Sequence, residues 1–453
     1  MPVSRFGTDC PAADGPVPRG ATRIMHRHVR LPVIALRVPP FPHADHGKAP
    51  VTRTPPVSLP LLAALLAGLS MLGPFSIDTY LPSFPSIQRD FGISVVEVQQ
   101  TLSAYLFTFA FMTLFHGTLS DSFGRRPVIL VSLCIFACAS VGCAFARNFH
   151  ELLALRAVQG FSAGAGIIVG RAIIRDSLEG QAAQRLMSWV IMIFGLAPAI
   201  APVVGGWLQR AFGWHSVFVF LALYAAALIV GCYWKLPETL APALRQPFRL
   251  APLAANYLRL GRSLPLFLLA SAVALNFCGF FLYVVSAPAF VYRVLGLGST
   301  QFAWLFVPGI AGVMIGAFLS GRVAGRLTPR RTVRIGYSIM FAAAAWNVSF
   351  SAWGTPGVPW SVLPVMAYTI GMSLAMPSIT LMALELFPQN RGLTASLQGF
   401  EQSLLQGVVA GLVSPLLSHS ALTLAWGMML PLVAGWCAWM LYLARYGGTS
   451  SHA

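Results

Sequence analysis

The chain is a series of long apolar stretches separated by short polar segments. A membrane-spanning helix needs about 20 consecutive apolar residues, and twelve stretches of roughly this length occur along the sequence. We therefore predict twelve transmembrane helices, six in each half of the chain. In order, they cover residues 58–77, 98–119, 127–146, 152–172, 187–208, 216–234, 264–286, 301–320, 333–352, 359–383, 394–416 and 421–443.

The composition supports an integral membrane protein rather than a soluble one. Of the 453 residues, 57% are hydrophobic and only 9% are charged, whereas soluble domains usually carry about 25% charged residues. The formal net charge of +17 would also suit a nucleic-acid-binding protein. The positions of the basic residues must decide between these two classes.

The basic residues alternate from loop to loop. If the N-terminus is cytoplasmic, 25 of the 30 Lys and Arg residues fall in cytoplasmic segments, and the outer loops hold only Arg89, Arg147, Arg210 and Arg293. Arg156 lies within helix 4. Because cytoplasmic loops of membrane proteins are enriched in Lys and Arg, this asymmetry predicts that both termini are cytoplasmic. Nucleic-acid binding is not needed to explain the charge.

The predicted helices divide into two domains of six. Residues 58–234 form the first half and residues 264–443 the second, joined by a basic cytoplasmic linker at 235–263. A short tail follows at 444–453. The basic, Pro-rich and His-rich tail at 1–57 is predicted to be disordered. A targeting peptide, or unused sequence translated from a misassigned start codon, remains an alternative for this tail.

A compact charged turn separates helices 2 and 3. Its sequence, Gly-Thr-Leu-Ser-Asp-Ser-Phe-Gly-Arg-Arg, resembles the Gly-x-Leu-x-Asp-x-x-Gly-Arg-Arg loop of the major facilitator superfamily. The resemblance implies an all-α fold of two pseudo-symmetric halves and a conformational role for the loop. A degenerate copy begins 204 positions later at Gly321, keeping Arg330 but placing Gly325 where the acid would be. The loop residues given this role are Gly117, Asp121, Gly124, Arg125 and Arg126.

Helix 1 ends in Asp-Thr-Tyr-Leu-Pro-Ser-Phe-Pro, starting at Asp78. This resembles the helix 1 signature of Bcr/CflA-type drug efflux proteins, which implies that Asp78 binds a proton or substrate. An acid within a membrane helix also marks a functional site by default. At a rise of 1.5 Å per residue, however, Asp78 would lie about 30 Å from Ser58. The alternative is therefore a solvated Asp78 at the outer surface.

Helices 4 and 5 carry two further family-like motifs. Helix 4 contains Arg156, followed by Gln159 and Gly160, and is similar to the superfamily's Arg-x-x-Gln-Gly motif. An arginine in hydrocarbon costs at least about 2.5 kcal/mol, so we expect Arg156 to face protein or water, with snorkelling to the outer interface as the alternative. Helix 5 is similar to the Gly-Pro-x-x-Gly-Gly antiporter signature with Ala201 in place of one glycine, and a simple kink is the alternative. Its signature residues are Pro198, Pro202, Gly205 and Gly206.

A second intramembrane acid, Glu401, lies in helix 11 and has no counterpart in the family pattern. It could pair with Arg156 or protonate on its own. Together with Asp78 and Arg156, it forms the set that we predict couples protons to substrate. Several other side chains could line a cavity, although packing or lipid contact suits any one of them equally well. They are Tyr80, Tyr105, Phe109, Gln159, Asn276, Phe277 and Tyr283.

The sequence has no P-loop for ATP-driven pumping and no catalytic or metal-ligand constellation. We therefore expect no enzyme, metal or cofactor, and a proton gradient as the energy source. The predicted function is a monomeric proton-coupled antiporter that exports small amphipathic drugs or metabolites across the bacterial inner membrane by alternating access. Its expected partners are substrate, protons and lipid, with no nucleic acid. The alternatives are a nutrient uptake symporter and a non-transporting membrane sensor.

Overall fold

The computed structural model describes residues 58–447. The predicted tail at 1–57 and the last part of the C-terminal tail lie outside the described residues.

The first half of the described chain provides six membrane crossings. Five of them are single helical spans. The second crossing consists of two segments that meet at a bend of 50°. In order, they are α1 (Leu59–Phe91), α2 (Val95–Thr113 with His116–Phe123), α3 (Arg125–Ala144), α4 (Phe149–Ser177), α5 (Gly180–Phe212) and α6 (His215–Lys235).

The second half provides six more helices long enough to cross. Five are strongly apolar, and the sixth is a 25-residue helix that begins with several arginines. The twelve helices predicted from the apolar stretches are therefore present. In order, they are α7 (Leu264–Val285), α8 (Ser299–Val323), α9 (Pro329–Trp353), α10 (Leu363–Glu385), α11 (Pro388–Leu417) and α12 (Ala421–Tyr446).

Two features were not predicted. Helix α1 continues beyond Asp78 through a 3-10 turn, Leu81–Ser83, into a final segment ending at Phe91. The predicted linker contains a helix, Leu250–Gly261, which we name the linker helix. Leu253 and Leu260 are buried and lie seven residues apart, on one side of this helix.

Several helices begin with side-chain caps. Ser94 accepts a hydrogen bond from the backbone N–H of Glu97, whose carboxylate accepts one from Ser94 in return, a capping box that starts α2. Asn148 accepts from the backbone N–H of Glu151 at the start of α4. Such caps satisfy N–H groups that have no partner within the helix. They fix where the membrane crossings begin.

Helix packing repeats between the two halves. In the first half, α1 packs on α5, α2 on α4 and α3 on α6; in the second, α7 packs on α11, α8 on α10 and α9 on α12. Each packed pair of the second half has helix numbers six higher than a packed pair of the first half. This correspondence is expected of repeats related by an axis normal to the membrane. The halves meet where α2 packs against α11 and α5 against α8. This packing agrees with the predicted pseudo-symmetric fold.

Candidate functional site

Asp78 lies in α1, where the straight part of the helix ends. Only 3% of its surface is exposed, so the protein covers it and it is not at a solvated surface. Its Oδ1 atom is buried and has no hydrogen-bond partner among the described residues. A buried polar atom without a partner is costly, which makes this carboxyl a candidate for binding a proton or ligand.

Arg156 of α4 is fully buried, so it does not snorkel to an interface. Its Nη1 atom donates to Ser76 Oγ at 3.0 Å and to Gln159 Oε1 at 2.7 Å. The guanidinium carbon lies 4.7 Å from the ring centre of Tyr80 and 4.6 Å from that of Tyr105. Desolvated contacts of this kind contribute about 2 kcal/mol or more each. The aromatic faces thus supply much of the stabilisation that a counter-ion would give.

The charge of Arg156 is not paired in this state. The guanidinium forms no ion pair with any described carboxylate, and its Nε and Nη2 atoms have no hydrogen-bond partner in the described part of the chain. Helices α1 and α4 pack together, so the unpartnered acid and the unpartnered cation occupy adjacent helices. We name Asp78, Arg156 and Gln159 the charged core.

Polar residues of two more helices support the charged core. Gln159 Nε2 donates to Ser140 Oγ of α3 at 2.7 Å. The hydroxyl of Tyr80 shares a hydrogen bond of 2.8 Å with Thr101 of α2. These bonds leave Gln159 Oε1 facing Arg156 and hold the Tyr80 ring in place. Helices α1 to α4 therefore all position this core.

Glu401 of α11 lies apart from the charged core. Its Oε1 atom accepts a hydrogen bond from Ser271 Oγ of α7 at 2.5 Å, and its side chain is half-buried. The ion pair with Arg156 that the sequence left open is not formed. The remaining alternative, protonation of Glu401 on its own, stays a prediction.

The predicted cavity residues divide into two groups. Tyr80, Tyr105 and Gln159 surround Arg156, and Phe109 stacks against Tyr105 with ring centres 6.2 Å apart. The others belong to α7 and pack within the second half, where their lining of a cavity stays a prediction. Asn276 donates to the Tyr337 hydroxyl at 2.9 Å, Tyr283 accepts from Asn347 at 2.7 Å, and Phe277 packs on Phe280 and Phe281.

The charged turn between α2 and α3 is centred on Arg125. Its Nη1 atom contacts Asp121 Oδ1 at 2.5 Å and its Nε atom contacts Asp176 Oδ2 at 3.0 Å. The carboxylate of Glu238 accepts from the backbone N–H groups of Arg125 and Arg126 at 3.0 and 3.2 Å. The turn is thereby bound to the end of α4 and to the segment after α6.

Gly124 is required at this turn. Its φ angle of +100° is one that side chains disfavour, and an added Cβ would lie 2.5 Å from Glu238 Oε2. Arg126 donates to the backbone oxygen of Tyr233 near the end of α6, and its guanidinium lies over the Tyr233 ring. Gly117 has only distant neighbours. Of the two predicted loop glycines, only Gly124 is thus constrained by its surroundings.

Helix α5 joins the charged core to the second half. Its prolines, Pro198 and Pro202, lie inside a continuous helix. An added Cβ at Gly205 would overlap the carbonyl group of Thr79, next to Asp78, and one at Gly206 would overlap the carbonyl of Ser299 at the start of α8. The two glycines therefore permit close backbone contact on both sides of α5.

Hydrogen bonds between the halves gather at one end of the bundle. Gln99 donates to Ser414 Oγ at 2.7 Å, and the Tyr292 hydroxyl donates to the backbone oxygen of Pro82 at 2.9 Å. Further along α2, Ser103 donates to the backbone oxygen of Gly407 at 2.6 Å. All three lie on the side away from the charged turn. We name this the tied end.

Comparison with known sequences identifies the family. The model of the Major Facilitator Superfamily matches residues 64–410. The chain belongs to this superfamily. The bicyclomycin resistance protein homolog of Haemophilus influenzae is 31% identical over 386 residues, covering 84% of this chain and 94% of that protein. Multidrug resistance protein D of Escherichia coli is 28% identical, covering 78% of this chain and 88% of that protein. The predicted superfamily and its Bcr/CflA-type group are confirmed.

Solved structures of the superfamily share the fold. A bacterial homolog of the human lysosomal transporter Spinster, in an inward-facing and unoccupied conformation, has a TM-score of 0.64 at 17% identity and covers 85% of this chain and 95% of that chain. The human organic anion transporter MFSD10 has a TM-score of 0.60 at 18% identity, with coverages of 84% and 100%. These likenesses show the fold alone. They agree with the predicted twelve-helix architecture.

Sequence reasoning missed several residues of this superfamily member's site. Asp176 and Glu238, which bind the charged turn, were not singled out because each is distant in sequence from Arg125. Ser76 and Thr101 were missed because small hydroxyl residues are common in membrane helices and carry no local signal. A usable signal did exist for Glu238, an acid in an otherwise basic linker.

Proposed function

We propose that this chain exports small amphipathic molecules, drugs among them, across a bacterial cytoplasmic membrane in exchange for protons. The substrate class is supported by the relatives, whose names include resistance to bicyclomycin, to several drugs and, in Pseudomonas aeruginosa, to chloramphenicol. The chain needs no bound cofactor for this activity, because the proton gradient supplies the energy. It acts as a monomer.

One observation carries the proposal: the charged core holds an acid and a cation that are both buried and not bonded to each other. In a sealed structural core, such groups would be paired or replaced. An acid with a free oxygen can instead accept a proton, and a cation with free N–H groups can attract either the deprotonated acid or a polar group of the substrate. These properties suit exchange of one ligand for the other.

The tied end provides the second element of a transport cycle. We place it on the outer side, with the charged turn and both termini in the cytoplasm, because the cytoplasmic segments then hold most of the basic residues. The structure would then describe a state closed toward the outside. Rocking of the two halves about the α2–α11 and α5–α8 contacts would break the tied-end bonds and open that side.

Coupling follows from competition within the charged core. When the outer side is open, substrate leaves and Asp78 takes up a proton, which removes its negative charge. When the inner side is open, substrate binding favours proton loss from Asp78, and the carboxylate is then available to Arg156. Each cycle moves a proton inward and substrate outward. Binding of each ligand alters the affinity for the other, as linkage requires.

The test uses the purified protein in liposomes with an imposed pH gradient and chloramphenicol or bicyclomycin as substrate. We expect addition of substrate to release protons in wild-type vesicles. The Asp78→Asn variant, which is nearly isosteric but cannot exchange a proton, should lose this response. The matched control is Asp90→Asn, because Asp90 is an exposed acid that accepts a hydrogen bond from Trp214 at 2.6 Å and lies outside the charged core.

Three results would contradict the proposal. If Asp78→Asn kept full proton-coupled export, Asp78 would not be the coupling acid. If substrate moved in the same direction as protons, the chain would be an uptake symporter. A chain that binds substrate but moves neither substrate nor protons would favour a sensor.

A further inference from the structure

A cavity of about 430 Å³ opens at the tied end, between the two halves. The first half contributes the end of α1, the start of α2 and the end of α5. The second half contributes the segment after α7 and the start of α8. Tyr292 and Pro82, whose hydrogen bond joins the halves, both line it. The cavity therefore lies beside a contact that closes this end.

The walls of this cavity are basic. Arg89, Arg210 and Arg293 line it, and no Asp or Glu does. These are three of the four arginines assigned to the outer loops, where such residues are scarce. The acids nearest to Arg89 in sequence are engaged elsewhere, because Asp90 accepts from Trp214 and Glu97 caps α2. Three like charges are thus brought together from two halves without a counter-ion among the lining residues.

The amide groups of two glutamines, one buried and one half-buried, add hydrogen-bonding capacity. Gln99 and Gln209 also line the cavity. Each donates through Nε2 to a serine, Ser414 and Ser86 respectively, but each has a buried Oε1 atom without a partner among the described residues. Arginines bind the oxygens of phosphate well, and an unpaired amide oxygen accepts from a hydroxyl. The combination suits an oxyanion that also carries O–H.

We propose that this cavity binds a phosphate-type oxyanion, and that the bound anion holds the two halves together at the tied end. Free hydrogen phosphate has its own O–H, and a phosphatidylglycerol headgroup combines a phosphate with the hydroxyls of its glycerol, so both provide an oxyanion and an O–H. Arg89 and Arg210 would contact the anion from the first half and Arg293 from the second. Loss of the anion would leave like charges facing one another and favour opening. The cavity does not include any residue of the charged core. The proposed anion site can therefore be tested independently of the proposed drug export.

The experiment measures access to the cavity in the full-length protein in phosphatidylcholine nanodiscs. A Val95→Cys variant, on a background with the accessible native cysteines changed to serine, reports alkylation of a cavity-lining position. Inorganic phosphate, titrated at constant ionic strength, should slow alkylation at least fivefold at saturation and raise the thermal unfolding midpoint. Arg293→Gln and Arg210→Gln should weaken both effects. Arg147→Gln is the matched control, because Arg147 is the fourth outer arginine and does not line the cavity.

The source of the anion is tested in nanodiscs that contain anionic phosphatidylglycerol, with no inorganic phosphate added. Protection in these discs that depends on Arg293 identifies a lipid headgroup, whereas protection by added phosphate alone identifies a free anion. Arg293→Lys keeps the charge and should retain part of the protection, which separates loss of binding from misfolding. The proposal is overturned if neither source protects position 95, or if Arg147→Gln and Arg293→Gln respond equally.

Discussion

The two halves share one packing plan but differ in where they place charge. In the first half, Arg156 and Asp78 are buried among α1 to α4. In the second half, the corresponding helices are joined by hydrogen bonds between neutral side chains, including Asn276 to Tyr337 and Asn347 to Tyr283. The intramembrane acid of this half, Glu401, is only half-buried and accepts a hydrogen bond from Ser271. Both arrangements stabilise a six-helix bundle. The second half thus forms its bundle without a fully buried charge among its described residues, and we attribute the buried charge of the first half to the proposed coupling.

The loops that precede α3 and α9 also share a structural contact but differ in charge. Arg126 donates to the backbone oxygen of Tyr233 near the end of α6, and Arg330 donates to that of Gly447 beyond the end of α12. Cations are favourable at helix C-termini, so this contact is structural and occurs twice. The acid is not repeated, because Gly325 stands in place of Asp121. The ion pairs of Arg125 with Asp121 and Asp176 belong to the first loop.

The largest expected effect comes from removing the charge that distinguishes the halves. Arg156→Ala should reduce proton-coupled export at least about tenfold, because a change of about 1.4 kcal/mol in the activation free energy already changes a rate by that factor. Arg156→Lys should lose less, since it keeps a cation although it loses the planar contact with Tyr80 and Tyr105. Export from liposomes, compared at equal protein insertion, measures both. Equal and normal export by the two variants would show that the cation is dispensable.

The second effect tests whether the halves move against each other at α5 and α8. Gly206→Ala places a Cβ against the carbonyl of Ser299 and should disfavour closure of the tied end by about 1 to 3 kcal/mol, the usual cost of overpacking. Spin-label distances across that end should lengthen. Gly195→Ala is the matched control in the same helix, because nothing lies within 4 Å of its added Cβ. Unchanged distances in Gly206→Ala would place the moving interface elsewhere.

The third effect concerns Asp121, the acid of the first loop that Gly325 replaces in the second loop. Asp121→Asn removes the charge opposite Arg125 and should shift the inward-to-outward equilibrium by about 1 kcal/mol, slowing turnover several-fold while substrate affinity survives. Gly325→Asp should not restore it, because position 325 belongs to the loop between α8 and α9 and is not the partner of Arg125. Cysteine accessibility on the two faces measures the shift. If accessibility is the same in Asp121→Asn and wild type, the loop serves only as a topological anchor.

The sequence predicted the features that are rare in membrane helices and missed those that are common. Arg156 could be singled out because charge is costly in a bilayer, and Gln159 and Asp121 because their spacing matches known motifs. The contact of Arg125 with Asp176 could not, since residues so far apart carry no local signal of proximity. Nor could the burial of Asn276, because a helix that is apolar all round gives no indication of which side faces its neighbours.

The smallest expected effect comes from the neutral network of the second half. Tyr283→Phe removes the hydroxyl that accepts from Asn347 at 2.7 Å and should lower stability by about 1 kcal/mol, the net value of a typical hydrogen bond. Export should stay within about twofold of wild type, because no charge or proton is involved. Thermal denaturation and liposome export measure the two quantities separately.

Tyr80→Phe is the matched variant of the first half: it loses a hydroxyl bonded to Thr101 but keeps the ring over Arg156. A large loss of export in Tyr283→Phe, with stability preserved, would show that the second half also takes part in binding or coupling and is more than a structural counterpart.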